Sequence, residues 1–108
     1  MLAIMELEHI PSSISLVLIG THFKSGTTFA DSRVKQAEAL IQFLIENYSN
    51  HSHIIVVADF NGTMNERFYS KLWNYGFRSS YRTLMNDHEP DFTTWKFTSR
   101  NYINKEEC

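Results

Sequence analysis

A single cysteine, Cys108, stands among the 108 residues, which excludes a disulfide framework and a cysteine-built zinc site and fits a reducing compartment such as the cytoplasm. Long hydrophobic runs are missing as well. The stretch from Met1 to Ile10 carries Glu6 and Glu8 inside its apolar run and has no basic flank, so neither a signal peptide nor a membrane span is expected. There is no excess of one charge. Ten basic residues face twelve acidic ones, for a formal net charge of -2, which rules out the broad positive field that holds small proteins on nucleic acid. Any phosphate binding must be local. With only four glycines and two prolines, the chain has no collagen-like, linker or low-complexity segment. It also has no Gly-rich phosphate loop, nucleophile elbow or His-Glu-x-x-His helix.

What is present is the composition of one ordinary domain, 43% apolar and 20% charged. A chain of this length buries roughly 60–70% of its unfolded surface, enough for one core with little margin. From Leu2 to Ile10, apolar residues alternate with Glu6 and Glu8, the pattern of a half-buried strand. Pro11-Ser12-Ser13 turns the chain, and the β-branched and apolar run Ile14 to Phe23 returns antiparallel as a hairpin. After the polar loop Lys24 to Ala30, Asp31 or Ser32 can cap a helix. Its packed face carries Val34, Ala37, Ile41, Leu44, Ile45 and Tyr48, while Arg33, Lys35, Gln36, Glu38, Gln42 and Glu46 fall mainly on its wet side.

Ile54 to Ala58 is apolar without alternation, as in a strand covered on both faces within a parallel region. Strand, crossover helix and second strand make a βαβ unit whose two strands end at one edge of the sheet. One long and one short helix can hardly cover both faces, so one sheet face and an unpaired edge are expected to be exposed and sticky. Thr63-Met64-Asn65-Glu66 reads as a capping box before a short helix with the apolar stripe Phe68, Tyr69, Leu72 and Trp73, closed by a left-handed cap at Gly76. Phe77 to Tyr81 reads as a short strand, Thr83 to Asp91 as a polar loop, Thr93 to Thr98 as a weak strand, and Asn101 to Cys108 as a polar tail.

The βαβ reading brings Thr21-His22 and Asp59-Phe60-Asn61 to the sheet edge where open α/β sheets bind ligands. In an extended chain, Asp59 and Asn61 share a face while Phe60 points into packing. A carboxylate there can hold a magnesium ion, directly or through water, or orient an attacking water; an amide nitrogen or an imidazole can donate to phosphate oxygens. The set suits metal-assisted phosphoester hydrolysis. Two blander readings stand beside it: Asp-x-Asn before Gly62 is also the pattern of a strand-ending Asx turn, and a histidine at a strand end often only bonds backbone. His51 and His53 form a His-x-His pair best read as a solvated turn, with no further ligand nearby.

Val56-Val57-Ala58-Asp59-Phe60-Asn61, preceded by Gly20-Thr21-His22-Phe23-Lys24-Ser25 and a helix, resembles the endonuclease/exonuclease/phosphatase superfamily. Members carry a Thr-His-Leu strand and a Gly-Asp-Phe-Asn strand in this order. Lys24 after His-Phe, and Phe92-Thr93-Thr94-Trp95-Lys96, are similar to the nocturnin branch within the deadenylase group. Two departures are mild: Ala58 stands in place of glycine, and Gly62-Thr63-Met64 in place of an Ala-x-Pro turn.

The resemblance implies an α/β fold over residues 1–108, a C-terminal-half segment of the DNase I-like α/β sandwich with a mixed sheet and one long and one short helix. It implies His22 against the scissile phosphate, Asp59 activating or positioning the nucleophilic water, and Asn61 orienting the phosphate. Lys24 and Lys96 would reach substrate phosphates and Trp95 would stack on a base, although each also reads as solvated charge or core aromatic. It further implies Mg2+ as cofactor, and an RNA 3′ end or a nucleotide phosphate such as that of NADP(H) as substrate. A full-length form would reside in the cytoplasm or the mitochondrion. The family's metal-binding Asn and Glu, and its closing Asp-Tyr-Ile and Ser-Asp-His elements, do not occur in these residues. The chain is therefore expected to be inactive alone, with an exposed sheet face that drives self-association or pairing with a missing half. The other reading is a non-catalytic remnant or interaction module that keeps the fold.

Overall fold

A computed structural model describes residues 1–51, 53–97 and 103–106, with side chains described up to residue 93 apart from residue 52. Strand β1 (Leu2–His9) and strand β2 (Ile14–His22) form the expected hairpin, with Leu2 opposite Thr21 and His9 opposite Ile14. Helix α1 (Ala30–Tyr48) then crosses to strand β3 (Ile54–Asp59), which runs parallel to β2 with Val17 beside Ile54 and His22 beside Asp59. The sheet order is β1-β2-β3. Helix α2 (Arg67–Tyr75) and the short helix α3 (Ser80–Leu84) follow, and a separate two-stranded ribbon pairs β4 (Thr94–Phe97) with β5 (Ile103–Glu106).

One face of the sheet is a core. Val17, Ile19 and Phe23 are buried against Val34, Ala37, Leu40 and Leu44 of α1 and Phe68 and Leu72 of α2. Strict alternation along a strand sends Leu16, Leu18 and Gly20 of β2, and Ile55 and Val57 of β3, to the opposite face. No helix among the described residues covers that face: Ile55 is 47% and Val57 60% exposed, and Met5 and Leu7 of β1 are exposed beside them. β3 is therefore not the doubly covered strand that its composition suggests. Its burial alternates, because α1 lies on one side only. β1 differs too, with all eight residues exposed where a half-buried strand was expected. The contact that ties it toward α1 is the Tyr48 hydroxyl, which donates to Glu6 at 3.0 Å and whose phenol pKa is raised by that hydrogen bond.

The other differences are local. α1 begins at Ala30 with Phe29 as its N-cap and no side-chain cap, so Asp31 sits within the first turn, where its charge favours the helix dipole. On α1, Leu40 is buried while Ile45 is 46% exposed, and Arg33, expected on the wet side, is 2% exposed. The expected strand at Phe77 to Tyr81 is absent. Ser79 instead accepts a hydrogen bond from the Arg82 amide through its side chain and starts α3, because a serine cap satisfies an amide that an isolated strand would leave unpaired. The polar tail from Asn101 includes β5, paired to β4 with Thr94 opposite Glu106. Gly76 closes α2 as expected, at φ 125° and donating to Leu72 and Trp73. No helix among the described residues is long and apolar enough to cross a membrane.

Candidate functional site: the rim of strands β2 and β3

His22 and Asp59 are the last residues of adjacent parallel strands and a register pair. By alternation they end the uncovered face rather than the helix-covered one. His22 Nε2 lies 3.6 Å from Asp59 Oδ2, and the two side chains are 62% and 51% exposed. An imidazole and a carboxylate thus meet at an open rim, where both can be reached by a ligand.

The rim is held from beneath. The Phe23 amide donates to the Asp59 carbonyl at 2.9 Å, extending the ladder one step beyond His22. Phe23 is buried and meets Phe60 edge-on at 5.1 Å and Phe68 at 5.9 Å, while Phe60 stacks on Phe68 at 5.6 Å. Phe60 points into packing, as expected for the middle residue of Asp-Phe-Asn. The extended geometry expected to carry Asn61 onto the face of Asp59 is not found, because Asn61 adopts φ 51°. Its amide donates to Asp59 Oδ1 at 3.0 Å, and its side-chain Nδ2 donates to the Phe23 carbonyl at 2.9 Å. This is an Asx turn, the blander alternative for the same residues, and asparagine tolerates the left-handed backbone it requires. The turn also has a consequence for the rim. It fixes one oxygen of Asp59 and leaves the other facing His22, while the Asn61 carboxamide clamps the end of β2 to the turn after β3.

A second clamp was not visible in the sequence. Buried Arg33 donates through Nε to Glu66 Oε1 at 2.8 Å and places NH2 2.8 Å from the same oxygen. It also donates through NH1 to the carbonyls of Lys24, at 2.9 Å, and Gly26, at 2.8 Å. Glu66 Oε2 accepts from the Thr63 amide at 3.1 Å. This is half of the expected capping box, formed one turn ahead of α2, since Thr63 Oγ1 accepts from Asn65 and Glu66 is itself the N-cap. One guanidinium therefore ties the loop after His22 to the turn after Asn61. Arginine suits this position because its planar fork can satisfy three acceptors at once.

Of the other expected residues, Lys24 makes contacts of its own. The Lys24 ammonium lies 4.7 Å from the Phe29 ring centroid, a cation–π contact, and its amide donates to Gln36. The side chains of Trp95 and Lys96 lie outside the described ones, although both residues belong to β4. His51 packs edge-on against Tyr48 at 5.2 Å and lines, with Glu6, Glu8 and Ser15, a cavity of about 250 Å³ at the far end of β2 from His22. Among the described residues no group of three or more His, Cys, Asp or Glu could hold a metal ion. Asp59 is thus one carboxylate, short of the oxygen set that magnesium requires.

No family model matches the chain, and no curated protein does. Among solved structures, it is similar to the human nocturnin catalytic domain with a bound sulfate anion, at 26% sequence identity and a TM-score of 0.77. The match covers 86% of this chain and 36% of that one, so the chain spans about a third of the length of its neighbour. The small α/β architecture, a mixed three-stranded sheet with its helices, thus matches part of a nocturnin-like nuclease fold.

Proposed function

We propose that the β2–β3 rim is the phosphate-facing part of a magnesium-dependent phosphoesterase site of the nocturnin kind, and that the chain is inactive without the rest of that site. The observation carrying this reading is the register pair His22–Asp59, open to solvent and locked from below by Asn61 and Arg33, on a fold shared with a nocturnin catalytic domain.

In phosphoester hydrolysis, water attacks phosphorus in line while negative charge spreads over the equatorial oxygens. His22 Nε2 is placed to donate to one of those oxygens, which stabilises charge that grows toward the transition state. Asp59 accepts a hydrogen bond from the attacking water through the oxygen that its Asx turn leaves available, and so orients it. Asn61 acts chiefly as a positioning residue, since its carboxamide already holds the Phe23 carbonyl. The donor set present does not complete a magnesium site; in an assembled domain Asp59 would supply one of the oxygen ligands, directly or through water, and the ion would offset the charge of the phosphate. The substrate is an RNA 3′ end or the phosphate of NADP(H).

The test is a chimera in which this chain replaces the matching portion of the human nocturnin catalytic domain. It is assayed with Mg2+ for adenosine monophosphate release from oligo(A) and for phosphate release from NADP. The chimera is expected to hydrolyse one of the two, His22→Ala and Asp59→Asn are each expected to lower kcat by about a hundredfold, and the isolated chain is expected to hydrolyse neither. A folded chimera inactive on both substrates, or one indifferent to both substitutions, would refute the proposal.

A further inference from the structure

We propose that Phe29, in the loop between β2 and α1, is the platform on which the base of a nucleotide stacks while its phosphate sits at the β2–β3 rim. The inference rests on the reading of that rim as a phosphate site, and it gives a role to a ring that the reading leaves unused.

Neither ordinary use of a side chain at this position explains a phenylalanine. Phe29 is the N-cap of α1, yet it makes no side-chain cap hydrogen bond, which a serine, threonine, aspartate or asparagine would supply. Nor does it belong to the core: it is 42% exposed, whereas Phe23 and Phe68 are buried. The ring is nevertheless held in one place. The Phe29 amide donates to the Gly26 carbonyl at 3.3 Å, and the Phe29 carbonyl accepts from the Arg33 amide at 3.1 Å. Gly26 turns the loop at φ 103°, and a methyl group there would stand 2.9 Å from Phe29 Cδ2, so the ring lies close against a position that glycine keeps open. Buried Arg33 fixes the same loop through the carbonyls of Lys24 and Gly26. An exposed aromatic side chain positioned in this way loses little freedom when a flat ligand covers it.

The charge beside the ring identifies that ligand. The Lys24 ammonium lies 4.7 Å from the Phe29 ring centroid, and among the described residues no carboxylate pairs with it. Lys24 follows His22 by two residues, about 7 Å of extended chain, and the Phe23 amide between them continues the ladder to the Asp59 carbonyl. One side chain thus bridges the rim and the ring. A phosphate at His22 draws the ammonium more strongly than the ring does, because a charge-assisted hydrogen bond outweighs an exposed cation–π contact. The face of Phe29 that the ammonium leaves is then open beside the phosphate. An anion carrying a flat aromatic group within that reach is a nucleotide. A sugar phosphate would satisfy the rim and leave the ring wet, and an apolar chain would gain nothing from the cation. Stacking on an aromatic side chain tolerates every base, so the platform favours nucleotides over other phosphoesters rather than one base over another.

The test titrates the full chain, labelled on its histidine and phenylalanine rings, with ribose 5-phosphate and with adenosine 5′-monophosphate, in the absence of metal. Both ligands are expected to shift the His22 ring resonances, with adenosine monophosphate binding at least about fivefold more tightly, and only adenosine monophosphate is expected to shift those of Phe29. Phe29→Leu is expected to bring adenosine monophosphate down to the affinity of ribose 5-phosphate, and Phe29→Trp to keep the preference. Equal affinity of the wild-type chain for the two ligands would overturn the proposal while leaving the rim a phosphate site. A preference that survives Phe29→Leu would overturn it as well, since the base would then rest elsewhere. Should the leucine variant fail to fold by thermal unfolding, the wild-type chain decides: a Phe29 ring that stays unmoved by adenosine monophosphate overturns the proposal. A His22 ring that responds to neither ligand would overturn the reading of the rim itself and the base platform with it, so the two failures are told apart.

Discussion

Arg33→Met is expected to destabilise the protein by about 3 kcal/mol, a large share of the 5–15 kcal/mol typical of a small domain. The arginine is 2% exposed and Glu66 only 21%, so removing the guanidinium leaves a largely buried carboxylate without its counter-charge. It also orphans the Lys24 and Gly26 carbonyls. Removing one partner of a buried pair costs about 3–5 kcal/mol because desolvation is no longer offset, and the partial exposure of Glu66 places this case at the lower end. Urea denaturation measures it: with an m-value of about 1–1.5 kcal/mol/M, the midpoint should fall by about 2–3 M at unchanged slope. Lys35→Met, exposed on the same helix, should move the midpoint little. Equal small effects from both substitutions would mean that Arg33 does not hold the two loops together.

Gly62→Ala is the second large effect, expected at about 3 kcal/mol. A methyl group at Gly62 would stand 2.6 Å from Phe68 Cε1 and would overlap Glu66 Oε2. Neither neighbour yields easily. The Phe68 ring is 2% exposed and wedged between Phe23 and Phe60, and the Glu66 carboxylate is held by Arg33. Overpacking of this kind commonly costs about 1–3 kcal/mol, and displacement of Glu66 from Arg33 adds to it. Because both substitutions damage the same ion pair, Gly62→Ala combined with Arg33→Met should cost at least about 0.5 kcal/mol less than the sum of the two. Full additivity would place the strain at Phe68 alone. Glycine is therefore required at this position by close approach of side chains.

Much of what positions the site was legible before the structure. The β-branched run before His22 and the apolar run before Asp59, separated by an amphipathic helix, fix a parallel pair whose ends coincide. Gly76 marked the end of α2 by its backbone freedom. What escaped depends on side chains meeting across distance. A helical-wheel pattern places Arg33 with its charged neighbours, and no local signal connects it to Glu66, 33 residues later. The left-handed backbone of Asn61 did have a signal, the Asn-Gly dipeptide after the aspartate. The alternation of Asp59-Phe60-Asn61, which suits an extended strand, competes with that signal. β5 carries a single apolar residue among Ile103 to Glu106, too little for period-two patterning to reveal. Phe77 and Tyr81 suggested a strand, yet Ser79 was a stronger local determinant as a helix cap.

The chemistry at the rim is the central claim, and a phosphate titration of the isolated chain tests it directly. The protein has five histidines, so ring resonances from a histidine-labelled sample give His22 four internal controls, His9, His51, His53 and His88. Titrated with inorganic phosphate in the absence of metal, His22 is expected to shift selectively, and Asn61→Ala should weaken the effect by loosening the turn. Asp59→Asn should strengthen binding about fivefold, since it removes a like charge worth about 1 kcal/mol at about 4 Å in water. Uniform shifts across all five rings, or a response centred on His51 and His53 while His22 stays unmoved, would contradict the account.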